Sequence, residues 1–135
     1  MNHNELHGTL ALVRPDLEND PARQQGEVGV LTYIDNSEKV YMSFPKGGEG
    51  IYEPADLFQL KEEDFFTAVK NDNSGTIGLK DYKDIFKIDL LQKMGRSTDT
   101  LRALEIAGTN PAIWDKVLDS VDSKISQNHS YSMTR

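Results

Sequence analysis

Three tyrosines, Tyr33, Tyr41 and Tyr52, fall in consecutive short runs of alternating residues. On neighbouring strands such side chains can gather into an outward patch that stacks on a peptide or a base. The same residues can instead close the ends of a small core, as aromatics in short strands commonly do, and the sequence leaves both roles open. For proton transfer there are His3, His7 and His129, all in stretches that read as mobile, which denies a general base its fixed geometry. No cysteine is present, which excludes a thiolate nucleophile, a disulfide and a zinc–thiolate centre. Carboxylates are plentiful but no two are singled out as an acid–base pair. The chain also lacks a Gly-x-Ser-x-Gly elbow, a P-loop, a His-Glu-x-x-His pair and a dinucleotide-binding glycine fingerprint. It therefore reads as a non-enzymatic protein without a cofactor, and a hydrolase would require a fold that brings two carboxylates into one cleft.

The stretch Lys70 to Asp81, KNDNSGTIGLKD, lies between two segments of helical pattern and resembles a calcium-binding EF-hand loop. That resemblance places Asp72, Ser74, Gly75, Ile77 and Asp81 at the third, fifth, sixth, eighth and twelfth loop positions. It implies oxygen ligation of a hard cation by Asp72, Ser74 and Asp81, with Gly75 making the bend. Lys70 stands where the loop carries its leading carboxylate, and Asp81 is shorter than the bidentate Glu of the twelfth position. The other reading of the same residues is a polar turn joining two elements.

The elements that would position these groups follow from side-chain periodicity. Thr9 to Arg14, TLALVR, alternates as a first strand and is ended by Pro15, which has no N–H for a ladder. PDLENDPARQQ sustains neither period and reads as a long loop. Glu27 to Ile34 is a second strand with Val28, Val30 and Ile34 on one face and Leu31 and Tyr33 on the other. Asp35 to Glu38 turns the chain, and Lys39 to Phe44 alternates again, with Val40, Met42 and Phe44 inward. A glycine-rich turn leads to Ile51–Glu53, Pro54-Ala55-Asp56 is long enough for one 3₁₀ turn, and Leu57 to Leu60 returns as a closing strand.

The pattern VRP…GEVGVLTYID…KVYMSF…GEGIYEPADLFQL over residues 9–60 resembles the SH3-like small barrels of the KOW type found in transcription and ribosome-associated proteins. The resemblance implies a closed five-stranded barrel, and a KOW-like nucleic-acid or ribosome-associated factor is one function it would carry. This chain has no basic residues around Gly26 to Gly29, and no aromatic–acidic signature near its first strand such as peptide-binding SH3 domains have.

After Leu60 the period changes to about 3.6. Lys61 to Lys70 places acids in a first helical turn and Phe65, Phe66 and Val69 on a buried face. Leu79, Tyr82, Ile85, Phe86 and Leu90 are expected to line one face of a longer helix ended by Gly95. Ser97 or Thr98 is expected to cap a helix using Leu101, Leu104 and Ala107. Asn110-Pro111 opens a last helix whose stripe is Ile113, Trp114, Val117, Leu118, Val121 and Ile125. The expected fold class is α+β: residues 1–8 disordered, a five-stranded SH3-like β-barrel at 9–60, three to four helices at 61–126 and a disordered tail at 127–135.

Charge narrows the partners. Residues 1–60 hold four Lys/Arg against ten Asp/Glu, a balance of −6, whereas 61–135 hold eleven against twelve, a balance of −1. An acidic first half repels phosphate backbones and anionic lipid, so nucleic acid and membrane are disfavoured and a protein partner with a basic surface is expected. The last helix exposes Asp115, Asp119 and Asp122 against Lys116 and Lys124, which is a poor recognition helix for DNA. No run approaches the roughly 18 apolar residues of a membrane span. The start MNHNELHG lacks the basic and apolar regions of a secretory signal, from which a cytoplasmic protein is expected. The sequence does not specify an oligomeric state.

Overall fold

A computed structural model describes residues 6–61 and 77–125. The fold is α+β, with strands β1 (Leu10–Val13), β2 (Val28–Ile34), β3 (Val40–Ser43), β4 (Glu49–Tyr52), β5 (Leu57–Leu60) and β6 (Leu118–Ser120). They form one six-stranded sheet in the order β4-β3-β2-β1-β5-β6. The expected closed five-stranded barrel does not form. β6 occupies the second edge of β5, where closure would have required β4, so the sheet gains a strand and stays open.

Two compact units meet at 59/60 and 119/120 in the chain. In the first, alternation and turn chemistry set the register. Leu10 pairs with Val30 and Leu12 with Val28 across β1 and β2, and Leu12 pairs with Phe58 across β1 and β5. Ala11, Val13, Leu31, Ile34, Val40, Met42, Phe44, Tyr52 and Leu57 share a core with Val121 and Ile125. Leu31 and Ile34 reach that core together, against the expectation that they face opposite ways. A register shift between Leu31 and Tyr33 inserts an extra residue and reverses the alternation. The β2–β3 turn is held by Asp35, whose Oδ1 accepts from Ser37 N–H at 2.9 Å and Lys39 N–H at 2.9 Å. Gly29 lets Phe44 lie across β2: a Cβ there would be 2.7 Å from the Phe44 ring and 2.8 Å from the Ser43 carbonyl.

The second unit contains α1 (Leu79–Met94), α2 (Ser97–Gly108), a 3₁₀ turn at Pro111–Ile113 and α3 (Trp114–Val117). Gly95 at φ 77° closes α1 in the left-handed conformation, its N–H bonded to the Leu91 carbonyl. The buried face of α1 differs from expectation. Ile85, Ile88 and Asp89 point inward, while Leu79, Phe86 and Leu90 are exposed. The true inward stripe, 85-88-89-92, contains Asp89 and Gln92 and so is masked as polar. Asp89 is buried beside Lys93 at 3.3 Å, and Gln92 Nε2 donates to the Lys61 carbonyl at 2.7 Å.

Two expected caps are also corrected. Arg96 occupies the cap position before α2, with no side-chain cap bond, and its guanidinium grips Asp99 at 2.7 and 3.2 Å. Asn110 makes no side-chain cap bond either; its Nδ2 donates to Asp81 at 2.9 Å and Asp84 at 3.0 Å, tying the turn to α1. The expected continuous helix from 111 is divided into a 3₁₀ turn, α3, strand β6 and helical residues 121–125. Pairing beside β5 pulls 118–120 into extended form despite their helical spacing. The expected helix at 61–70 falls almost wholly outside the described residues.

Candidate functional site

A cavity of about 320 Å³ lies in the first unit between the long β1–β2 loop, strands β3 and β4, and the Pro54–Asp56 turn. Leu17, Tyr41 and Ile51 are among its apolar walls, and Asp20, Glu53 and Asp56 bring carboxylates to it.

The loop is shaped from its own sequence. Asp20 accepts from the N–H groups of Ala22 at 2.9 Å and Gln24 at 2.8 Å, a side-chain mimic of a backbone turn that leaves Arg23 at φ 54°. Its Oδ2 also accepts the Tyr52 hydroxyl at 2.9 Å, which fastens the loop to β4. At the loop's entrance Arg14 forms a two-pronged pair with Asp16 at 3.0 Å on each prong and lies 4.8 Å over the Phe58 ring. The other wall is made by sheet register, since Tyr41 pairs with Ile51 and Val40 with Tyr52 across β3 and β4. Tyr41 and Ile51 consequently face one side, and the Tyr52 ring the other.

Electrostatics separate the carboxylates. Glu53 is neutralised by an ion pair with Lys39, and Asp20 is surrounded by donors. Asp56 differs: no hydrogen bond or ion pair holds its side chain among the described residues. Burial pushes its carboxyl above the usual carboxylate range; Arg14 opposes this, while like-charge repulsion from Asp20 and Asp16 adds to it. Burial, followed by the hydrogen bond to Asp20, raises the Tyr52 hydroxyl far above an ordinary tyrosine. Asp35 is held low, first by the Ser37 hydroxyl, and accepts the Tyr41 hydroxyl at 3.1 Å, so the orientation of Tyr41 is fixed from the β2–β3 turn. The cavity can therefore take a cationic group against Asp56, with an apolar stem along Leu17, Tyr41 and Ile51.

The three tyrosines are not one patch. Tyr33 and Tyr41 lie together with ring centroids 5.9 Å apart, and Tyr33 is 51% exposed. Tyr52 is buried, edge-on to Phe44 at 6.4 Å, and reaches the site only from the cavity side. His7, expected in a mobile stretch, is positioned: its Nε2 accepts the Ile34 N–H at 3.3 Å and its ring lies 5.6 Å from Tyr33. His3 and His129 lie outside the described residues, as do Asp72 and Ser74. Asp81 sits in the first turn of α1 with Oδ1 on Asn110. Among the described residues no group of three or more His, Asp or Glu is placed to hold a metal ion, and no helix is long and apolar enough to cross a membrane.

Asp20, Glu53 and Asp56 escaped the sequence reading because their relation spans more than thirty residues and depends on strand register. The one local signal was the Asn-Asp-Pro run around Asp20, a turn former whose carboxylate binds backbone N–H groups nearby. Compared with protein-family models, curated proteins and solved structures, the chain matches none.

Proposed function

We propose that this protein is a non-enzymatic interaction module that holds a basic segment of a partner protein in the acidic cavity beside the β1–β2 loop. The observation that carries this reading is Asp56: a partly desolvated carboxylate, without a side-chain partner among the described residues, at the wall of a cavity that also has apolar surface. A lysine or arginine side chain supplies both complements, a cation for Asp56 and a methylene stem for the apolar wall. Strongly negative charge over residues 1–60 steers such a partner and repels nucleic acid.

Titration calorimetry with a lysine- and arginine-rich peptide tests the reading. Asp56→Asn should weaken binding by roughly tenfold or more, the order expected for losing a hydrogen bond to a charged group. Lys39→Gln should strengthen it, since it removes a cation already seated at the cavity. Binding of an acidic peptide, or weakening by Lys39→Gln, would overturn the reading.

The KOW-like reading is favoured by the exposed Tyr33 ring beside the half-buried Tyr41 as a stacking surface. It calls for single-stranded nucleic acid to bind through those rings in spite of the surrounding carboxylates. A gel shift lost in Tyr33→Ala would favour it over the protein-partner reading.

A further inference from the structure

The solvent side of α1 carries a second surface, with chemistry opposite to that of the acidic cavity. Eight residues of the helix are exposed: Leu79, Lys80, Lys83, Phe86, Lys87, Leu90, Lys93 and Met94. Four are lysines, four are large and apolar, and none is acidic. Two of these lysines are paired within the helix, Lys80 with Asp84 at 2.9 Å and Lys93 with the buried Asp89 at 3.3 Å, and Asp81 and Asp84 also accept from Asn110. In a chain of net charge −7, Lys83 and Lys87 give this face a local positive charge that no acid of the helix offsets.

Its apolar residues are also ordered. Leu79, Phe86, Leu90 and Met94 follow at intervals of seven, four and four, which at 3.6 residues per turn confines them to an arc of roughly 80° over about 22 Å. These four are 72%, 50%, 58% and 54% exposed respectively. On the same count Lys83 falls within that arc, between Leu90 and Met94, and Lys87 lies about 20° beyond Met94. A narrow apolar stripe with Lys83 within it and Lys87 along one border suits a helix that brings carboxylates beside its own apolar residues, whereas a helix lying in a lipid surface needs a wider apolar face.

We propose that this face of α1 docks an amphipathic helix of a partner protein whose apolar seam is bordered by glutamates and aspartates. Charge complementarity selects that occupant. A second copy meeting face to face would oppose lysine to lysine. An anionic bilayer would have to accept a chain carrying seven net negative charges.

The test uses the full chain and two designed helical peptides. Both have leucines at positions i, i+4, i+7 and i+11; one carries glutamates beside them and the other lysines. Binding is read by fluorescence anisotropy and mapped by backbone NMR. The acidic peptide should bind and shift Leu79, Lys83, Lys87 and Leu90, and the lysine peptide should bind at least tenfold more weakly. Lys83→Glu with Lys87→Glu should reverse that preference, and Leu90→Gln should weaken both peptides. All three substitutions are at exposed positions, and circular dichroism checks that the variants stay folded. Equal binding of the two peptides, or failure of the charge reversal to exchange them, overturns the proposal. So does concentration-dependent dimerisation abolished by Leu90→Gln, or binding of anionic vesicles in place of the peptide. Binding that appears only after Phe65→Ser and Phe66→Ser would show residues 62–76 of the same chain to be the occupant and equally overturn it.

Discussion

Replacing Tyr52 by phenylalanine removes one oxygen and leaves the ring against Phe44 and Gly50 in place. The hydroxyl donates to Asp20 Oδ2 at 2.9 Å, and both residues are more than nine-tenths buried. A hydrogen bond to an ionised acceptor is worth about 1.5–3 kcal/mol. Asp20 keeps the N–H groups of Ala22 and Gln24, so the loss belongs in the lower part of that range, about 2 kcal/mol. For a chain of this size the midpoint of thermal unfolding should fall by roughly 6–10 °C. The substitution also has a pH signature. In the folded chain Tyr52 is held neutral well above its ordinary value of 10.0, first by burial and then by Asp20. The stabilisation linked to that shift is complete below pH 10 and is lost as pH rises toward the folded value, because the unfolded chain releases the proton first. Urea unfolding of the wild type should weaken above pH 10, and Tyr52→Phe should lack that component. A thermal shift below 2 °C together with an unchanged alkaline slope would refute the idea that this bond fastens the loop to the sheet.

Other consequences follow from single contacts. Asp56→Asn should stabilise the fold at neutral pH while it weakens peptide binding, because a carboxyl whose folded value is raised costs stability once ionised; chemical denaturation and calorimetry on the same variant check both signs. Gly29→Ala should cost about 1–3 kcal/mol in urea unfolding, since its Cβ meets the Phe44 ring and the Ser43 carbonyl well inside contact distance; an unchanged midpoint would contradict that packing. Gly95→Ala, at φ 77°, should cost about 1 kcal/mol by straining the end of α1. Arg96 holds Asp99 below the ordinary value of 3.8, and Lys80 does the same for Asp84. Their stabilisation is present above that value and disappears as pH falls through the lower folded values, so Asp99→Asn should flatten the acid limb of stability.

Much of the architecture was legible because it is written locally. Pro15 and the Asp35–Glu38 turn mark strand ends, Val40, Met42 and Phe44 alternate into the core, and Gly95 stops a helix as its lack of Cβ allows. Features that depend on distant partners were not. The bulge after Leu31 has no glycine to announce it and is visible only in the pairing of β2 with β3. Leu118–Ser120 has helical spacing and becomes extended because β5 offers an open edge. The exposed face of α1 reads as its core because Leu79, Phe86 and Leu90 outrank Asp89 and Gln92 in hydrophobicity, although it is the latter that are turned inward. The candidate cavity was hidden for a related reason: Asp20, Glu53 and Asp56 are ordinary surface acids until β-strand register and one tyrosine hydroxyl bring them to the same wall.

The central claim is that the acidic cavity receives a cationic side chain, and NMR mapping of a lysine- and arginine-rich peptide on the full chain addresses it most directly. The expected result is saturable shifts at Tyr41, Ile51 and Asp56, with an affinity that falls as salt is raised from 50 to about 200 mM. Shifts confined to residues away from this cavity, or an affinity indifferent to salt, would contradict it.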